Sequence, residues 1–264
     1  MQRVPRDCVW CDQSGPTTVE DVIAQWIARL FQERFWPQTP NFAIRRPGRW
    51  HDEDLPSAQP AKRIKIDLKV CATCNNGWMS QLETRVKPVL SDLIFAEDAV
   101  AVSQSDADTL AAWSAKTLTN AVFERHRRAD RLVPPGARDL IRQQQVPTPD
   151  MAITAFRVDG LDTKVRTRVS DVPLRKPGGR QIGVAVVSTL LIGRVAVRMV
   201  YSTHARSTPA LPAPLRSTAL PLWPTSSRPN TTTALTWPKR GIPGEDALET
   251  ICDPSEAEVA TWYP

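Results

Sequence analysis

Two Cys-x-x-Cys pairs constrain this chain more than any other feature of its sequence. Four of the five cysteines fall into them, Cys8 with Cys11 and Cys71 with Cys74. A Cys-x-x-Cys turn directs two thiolates toward one point, which supplies half of a tetrahedral zinc site. Two such turns, brought together by the fold, supply the whole site. The pairs therefore predict one structural zinc ion held by these four cysteines.

Redox motifs and structural disulfides are the competing interpretations of the same cysteines. A redox Cys-x-x-Cys is expected once, at a strand-to-helix turn, and does not need a second pair. A disulfide inside a Cys-x-x-Cys closes almost no loop and therefore gains little stability. Disulfides also belong to oxidising compartments, and because residues 1–7 do not have the pattern of a secretory leader, export is not expected. We therefore expect reduced cysteines and a cytoplasmic protein.

An amphipathic segment, residues 17–31, follows the first pair. Thr17 precedes Glu20 by three residues and Thr18 precedes Asp21 in the same way, as in a capping box. The pattern predicts a helix that begins near Thr17, with both acids in its first turn. The apolar residues that recur at helical spacing in this segment are Val22, Ile23, Trp26, Ile27, Leu30 and Phe31.

The order of these motifs resembles the HNH endonuclease family. In that family a first Cys-x-x-Cys precedes an acidic residue and a histidine, and a second Cys-x-x-Cys is followed by Asn or His, here Asn75. Residues 74–83 read Cys-Asn-Asn-Gly-Trp-Met-Ser-x-Leu-Glu and resemble more narrowly a branch of HNH endonuclease-like proteins from actinobacteria and their phages. The resemblance is rich in motifs over residues 8–95 and thin beyond them. The later fragments similar to that branch are residues 110–117, 222–224 and 236–238.

The resemblance also implies a catalytic set. Members of the family hold one divalent ion beside the scissile phosphate on a ββα-metal unit, which is a hairpin followed by a helix. Carried onto this sequence, it implies Glu20 as an acidic metal ligand, Asp21 in the position of the general base and Asn75 as the last motif residue. Oxygen ligands of this kind suit magnesium or manganese. The implied activity is metal-dependent hydrolysis of DNA phosphodiester bonds.

Asp21 is the position at which this sequence departs from the family, whose members carry histidine there. An imidazole with a pKa near neutrality accepts a proton from water, whereas a carboxylate with a pKa of about 4 is a much weaker base at neutral pH. The loss of a positioned general base typically lowers a rate by about 10²–10⁴-fold. His51, in a polar stretch between the cysteine pairs, is a candidate replacement.

Each catalytic candidate also has a structural interpretation. Glu20 and Asp21 suit the start of a helix, and Asn75 suits the cap of the helix that follows it. The sequence therefore leaves three functions open. They are an HNH nuclease weakened at its base, a catalytically inactive zinc-stabilised module that binds nucleic acid or protein, and a purely structural zinc protein.

The charge of the chain favours the first two functions. The formal net charge is +6, which suits an anionic partner and DNA in particular. Two basic segments lie between the cysteine pairs, inside the predicted nuclease unit. Their side chains are the candidate phosphate contacts, namely Arg45, Arg46, Arg49, Lys62, Arg63 and Lys65.

The predicted fold class is α+β, with three regions. Residues 1–97 form a zinc-binding HNH-like domain with the zinc knuckle and the ββα-metal unit, residues 98–149 a helical middle region, and residues 150–264 a β-rich region with an antiparallel sheet. Helices are expected over residues 77–94, 105–127 and 137–144. Strands are expected over residues 152–158, 164–169, 184–191 and 194–201.

Two positions inside these predicted elements carry special backbone signals. Pro88 lies within the first of the three helices and is expected to kink or divide it. Gly193 separates the last two strands and is expected to form the turn between them. The run that contains Gly193 is apolar but interrupted by arginines and rich in β-branched residues, so strands are expected there rather than a membrane span.

Overall fold

The computed structural model of the protein combines helices and sheets, as the sequence predicts. No helix in the described part of the chain is both long and apolar enough to cross a membrane. The structure describes residues 8–11, 13, 17–21, 24–35, 41–44, 65–125, 129–175, 179–202, 211, 213–227, 234–242, 249 and 251.

The predicted start of the first helix is wrong. Thr17–Asp21 form a strand, β1, and the helix α1 runs over Gln25–Phe35. β1 pairs antiparallel with β3, Lys65–Cys71, while β2, Asn41–Ile44, lies between them in sequence. The β-branched residues that open this segment favour an extended backbone, and their pairing partner is too distant in sequence for a local pattern to reveal it.

The second cysteine pair begins a helical stretch with a break in it. A single turn, α2, covers Ala72–Cys74, a π-helical turn covers Asn75–Met79, and α3 covers Ser80–Phe95. Gly77 interrupts the helical backbone inside the π turn, with φ −90° and ψ −112°.

Pro88 lies within α3, which continues through it, so the proline does not divide the helix. A proline inside a helix removes the hydrogen bond to the carbonyl four residues earlier, here that of Thr84. Both residues are exposed, so water can satisfy this carbonyl. The predicted helix over residues 77–94 is otherwise confirmed in its main part.

The helical middle region contains α4, Gln104–Arg125, α5, Ala129–Leu132, and α6, Pro135–Gln144. Two of these helices match the predictions for residues 105–127 and 137–144. A helix that packs on one neighbour buries one side, yet residues 110–122 of α4 are buried without interruption. The reason is that α4 packs against α3 as well as against strands of the C-terminal region.

The C-terminal region is built on one long hairpin. β5, Met151–Arg175, pairs antiparallel with β6, Gln181–Tyr201. The other edge of β5 is shared by β7, Ala219–Trp223, which is antiparallel to it, and by β2, which is parallel. The short helix α7, Ala213–Arg216, precedes β7, and a separate antiparallel pair joins β4, Val100–Val102, to β8, Leu235–Trp237.

The turn predicted at Gly193 is wrong. β6 continues through Gly193, which has φ +57° and lies opposite Asp162 where the register of the hairpin shifts. Glycine permits this left-handed backbone at a bulge. Val187 and Val200 belong to one hydrophobic cluster, although a straight strand would separate them by about 43 Å, 13 residues at about 3.3 Å each. The hairpin therefore bends back on itself.

One large hydrophobic cluster connects the regions. It includes Trp10 beside the first cysteine pair, Leu110 and Trp113 of α4, and Ile153 and Trp237 from the strands of the C-terminal region. The cysteine-bearing segments therefore pack on the same core as the helices and the sheet.

Candidate metal centre

The four cysteines converge, as their spacing predicts. Cys71 ends β3 and Cys74 ends α2, while Cys8 and Cys11 lie in the loop before β1. All four Sγ atoms lie within 4.8 Å of one another, and the Sγ atoms of Cys11 and Cys71 are 3.6 Å apart. A tetrahedral zinc ion with Zn–S bonds of about 2.3 Å requires sulfur atoms about 3.8 Å apart. The cluster can therefore hold a metal ion such as zinc.

Backbone hydrogen bonds fix the two cysteine turns against each other. The N–H of Val9 donates to the carbonyl oxygen of Lys69 on β3, at 3.0 Å. The N–H of Cys71 donates to the Sγ of Cys8 at 3.3 Å, and the N–H of Cys74 donates to the Sγ of Cys71 at 3.4 Å. Hydrogen bonds donated to sulfur favour the thiolate, which is the form that binds metal.

Burial and these hydrogen bonds act on the thiols in opposite directions. Burial raises the pKa of Cys11 and, together with the charge of Cys8, that of Cys74. Burial also opposes ionisation of Cys71, but the N–H of Cys74 and the neighbouring thiols outweigh it and lower the pKa of Cys71 to about 7. All four cysteines are free of disulfides. Metal binding must therefore displace protons, above all from Cys11 and Cys74.

Two tryptophans enclose the cysteine cluster. Trp10 lies between the first two cysteines in sequence and Trp78 follows the second two, and their rings meet edge to face with centroids 5.1 Å apart. Trp10 is almost fully buried, and its indole Nε1 donates to Oδ1 of the buried Asn120 on α4 at 2.9 Å. These contacts place apolar rings beside the cysteine cluster and attach the first cysteine turn to α4.

Arg138 makes a second attachment, from α6. Its guanidinium donates to the carbonyl oxygen of Val9 in the first cysteine turn and to Oδ1 of Asp130 at 3.0 Å. The same guanidinium lies 4.9 Å from the ring centroid of Phe123 on α4. The first cysteine turn is therefore fixed to two helices of the middle region.

A buried ion pair joins α4 to α3, the helix that follows the second cysteine turn. Lys116 is fully buried, and its Nζ donates to Oε1 of Glu83 at 2.8 Å. The sequence patterns do not mark Lys116, Asn120 and Arg138 as contacts of this site. Each lies on a predicted helix among other polar residues, and the sequence does not show which of these polar residues are buried.

Asn75 contacts β1 instead of capping a helix. Its Nδ2 donates to Oγ1 of Thr18 at 2.9 Å, and that hydroxyl donates to the carbonyl oxygen of Val70 on β3 at 3.0 Å. The residue that caps α2 with its side chain is Cys71, and the N-terminal residue of α3 is capped by no side chain. The interpretation of Asn75 as a helix N-cap is therefore wrong.

Glu20 and Asp21 lie on β1, two and three residues beyond Thr18. Asp21 pairs through its backbone with Lys65, the first residue of β3, where the register of the two strands shifts. No acidic residue occupies the first turn of α1. The capping box and the interpretation of these acids as helix-start residues are therefore wrong.

The remaining predicted residues fall largely outside the described part of the chain. Lys65 is placed on β3 by its backbone. The candidate phosphate contacts and the candidate replacement base that lie outside the described residues are Arg45, Arg46, Arg49, Lys62, Arg63 and His51.

Comparison of this chain with protein-family models, with curated proteins and with solved structures found no match. The functional interpretation therefore depends on the residues and the geometry described above.

Proposed function

We propose that this protein is a metal-dependent endonuclease of HNH type that acts on DNA and is weakened at its general base. In this proposal the four cysteines hold a structural zinc ion. A second divalent ion, magnesium or manganese, binds the oxygen donors of Glu20 and Asn75 beside Asp21. The observation that carries the proposal is the hydrogen bond between Asn75 and Thr18, because it brings the last motif residue against the strand that bears both acids.

The order and direction of the elements support this proposal. β3 pairs antiparallel with β1 and is followed directly by the helical stretch that bears Asn75. Two paired antiparallel strands and a following helix are the parts of a ββα unit, although α1 and β2 lie between the two strands in sequence. The structural interpretations of Glu20, Asp21 and Asn75 as helix caps are contradicted by their positions. Their functional interpretation is correspondingly stronger.

The cysteine cluster has a structural role in this proposal. Cys71 and Cys74 bracket the turn that leads into Asn75, so a metal ion held by them fixes the backbone from which this side chain projects. Structural zinc sites stabilise the fold directly and need no open coordination position. The cluster therefore supports the site without taking part in the reaction.

The chemistry of the reaction assigns a role to each residue. A divalent ion held there would supply a positive charge that stabilises the negative charge on the phosphate in the transition state. Glu20 supplies a charged oxygen ligand and Asn75 a neutral one. Asp21 accepts the proton of the attacking water, but its carboxylate is a poor base near neutral pH. The basic residues Arg45, Arg46, Arg49, Lys62, Arg63 and Lys65 contact DNA phosphates in this proposal.

Cleavage of duplex DNA by the zinc-loaded protein with magnesium or manganese tests the proposal. We expect slow cleavage by the wild type and an increase of about 10²–10⁴-fold for Asp21→His, which restores an imidazole base. Glu20→Ala should abolish cleavage by removing a metal ligand. Glu33→Ala is the matched control, because it removes an exposed acid that lies on α1 and not on β1.

DNA binding separates this proposal from its alternatives. The variants at Glu20 and Asp21 should still bind DNA, because contacts from Lys and Arg to phosphates supply affinity independent of sequence. If the wild type and Asp21→His both bind DNA and neither cuts it, the chain is an inactive binding module. The absence of a histidine at position 21 favours this alternative. If neither binds at low salt, both functions are rejected and a structural zinc protein is left.

A further inference from the structure

We infer that Thr18 is a positioning residue that orients the side-chain amide of Asn75 and turns its Oδ1 toward the proposed divalent ion. This inference rests on the proposed function. It assigns a role to a residue that the sequence motifs do not mark, on the basis of two consecutive hydrogen bonds. Asn75 Nδ2 donates to Thr18 Oγ1 at 2.9 Å, and Thr18 Oγ1 donates to the carbonyl oxygen of Val70 at 3.0 Å.

The direction of these hydrogen bonds follows from their last acceptor. A carbonyl oxygen only accepts hydrogen bonds, so the single hydroxyl hydrogen of Thr18 must point to Val70. The Oγ1 of Thr18 then has only lone pairs to offer to Asn75. The amide of Asn75 must therefore present its N–H groups to Thr18, since its Oδ1 would face a second acceptor with no hydrogen between them.

This constraint decides which atom Asn75 offers on its other side. The two ends of an asparagine amide have the same shape and opposite hydrogen-bonding character. With Nδ2 held by Thr18, the atom left to bind another group is Oδ1, which is a ligand for hard cations such as magnesium. A reversed amide would present N–H groups there and would repel a cation.

The two hydrogen bonds from Asn75 through Thr18 to Val70 form a relay, and the backbone at both ends of this relay is fixed. Thr18 and Val70 are directly paired residues of β1 and β3, so the hydroxyl and its acceptor are held by a sheet. Asn75 has helical backbone angles, and its own N–H donates to the carbonyl oxygen of Ala72. Thr18 and Asn75 are both half-buried, which limits competition from water. The relay therefore orients the amide before any ion arrives.

Manganese binding to the full-length, zinc-loaded protein without DNA tests this inference. Electron paramagnetic resonance measures free manganese directly and does not depend on catalysis. Thr18→Ser retains the hydroxyl and should bind manganese like the wild type. Thr18→Val retains the shape without the hydroxyl and should weaken binding by about 10–100-fold, the usual effect of removing a group that orients a metal ligand.

A second measurement keeps the outcome interpretable. Cobalt placed at the four cysteines gives a thiolate absorption band that reports the integrity of that site. This band should be the same in all variants. If Thr18→Val loses the band, Thr18→Ala replaces it as the variant without a hydroxyl.

The possible results separate the failure of this inference from the failure of the proposed function. Equal manganese binding by the wild type, Thr18→Ser and Thr18→Val would overturn the role of Thr18 and leave the proposed metal site standing. Absence of manganese binding in the wild type would overturn both. Weakened binding in Thr18→Ser as well as Thr18→Val would show that packing of the threonine methyl, and not the hydroxyl, is required, and would also overturn the inference.

Discussion

The cysteine cluster and the Asn75 site, defined as Asn75 with β1, lie at the same end of the β1–β3 pair and differ in how they are assembled. Each Cys-x-x-Cys turn already brings two ligands together, so one pairing, β1 with β3, suffices to make four. Asn75 follows Cys74 directly in sequence, yet its orientation depends on a hydroxyl from another strand. The first site is encoded in short motifs and the second in a contact between distant segments.

The comparison also indicates a direction of dependence. The cluster is closed, largely buried and complete with four sulfur atoms, and it uses nothing from the Asn75 site. The Asn75 site, in contrast, begins at the residue after Cys74 and therefore needs the cysteine turn to be formed. Damage to the cluster should disrupt both sites, whereas damage to the Asn75 site should leave the cluster intact.

The largest expected effect comes from the cluster itself. Cys71→Ser should abolish zinc binding, unfold the N-terminal segments and remove manganese binding as well, because structural zinc sites contribute apparent free energies of about 10–16 kcal/mol. Metal analysis and circular dichroism measure the result. Cys252→Ser is the control, since the fifth cysteine belongs to neither pair, and it should keep one zinc per chain. One zinc bound by Cys71→Ser would contradict the four-cysteine site.

The converse substitution tests the direction of dependence. Asn75→Ala should remove manganese binding and retain the full zinc content, because Asn75 contributes nothing to the cysteine cluster. Loss of zinc in this variant would show that the two sites form a single unit, and the proposed asymmetry would be wrong.

The buried ion pair between α3 and α4 should have the next largest effect. Glu83→Gln removes the charge from the carboxylate that Lys116 contacts at 2.8 Å, and loss of one member of a buried ion pair lowers the free energy of unfolding by about 3–5 kcal/mol. Urea denaturation measures this change. Glu97→Gln is the control, since Glu97 is 80% exposed and 4.0 Å from Arg194, and an exposed pair contributes only about 0–1 kcal/mol.

Glu83→Gln also tests the comparison between the cysteine cluster and the Asn75 site. α3 begins one residue after the π turn that contains Asn75, so its anchor on α4 supports both sites. Near the midpoint of urea unfolding, Glu83→Gln should therefore weaken zinc binding and manganese binding together. At lower urea concentrations, where the variant is folded, neither should be weakened. An unchanged free energy of unfolding would show that the pair is dispensable for the fold.

Local sequence patterns correctly predicted the elements that depend on residues close together in sequence. The cysteine cluster, the body of α3, α4 and α6, and the strands that became β5 and β6 all arise from spacing or periodicity within a short window. The coarse fold class followed from the order of these elements.

The errors share one physical cause, which is pairing between distant residues. β1 was taken for the start of a helix because its partner β3 lies more than forty residues away in sequence. The turn predicted at Gly193 is wrong because the actual role of this glycine, a bulge opposite Asp162, depends on pairing with a residue 31 positions earlier in the chain. Lys116 was overlooked because burial on every side of α4 comes from the sheet and helices around it.

The smallest expected effect comes from the contact that attaches the first cysteine turn to α4. Trp10→Phe retains the ring packing but removes the N–H that donates to the buried Oδ1 of Asn120. A buried acceptor that loses its donor costs about 1–3 kcal/mol. The loss should appear both as lower stability and as weaker zinc binding in competition with a chelator.

Trp26→Phe is the matched control for this substitution. Trp26 packs against the core from α1, and no acceptor in the described part of the chain lies within hydrogen-bonding reach of its Nε1. It should therefore lose less stability than Trp10→Phe and keep its zinc affinity. Because the relay from Asn75 to Val70 does not involve Trp10, manganese binding should persist in Trp10→Phe once zinc is saturating. A loss of manganese affinity at saturating zinc would mean that the attachment to α4 orients Asn75 as well, and the separation between the two sites would fail.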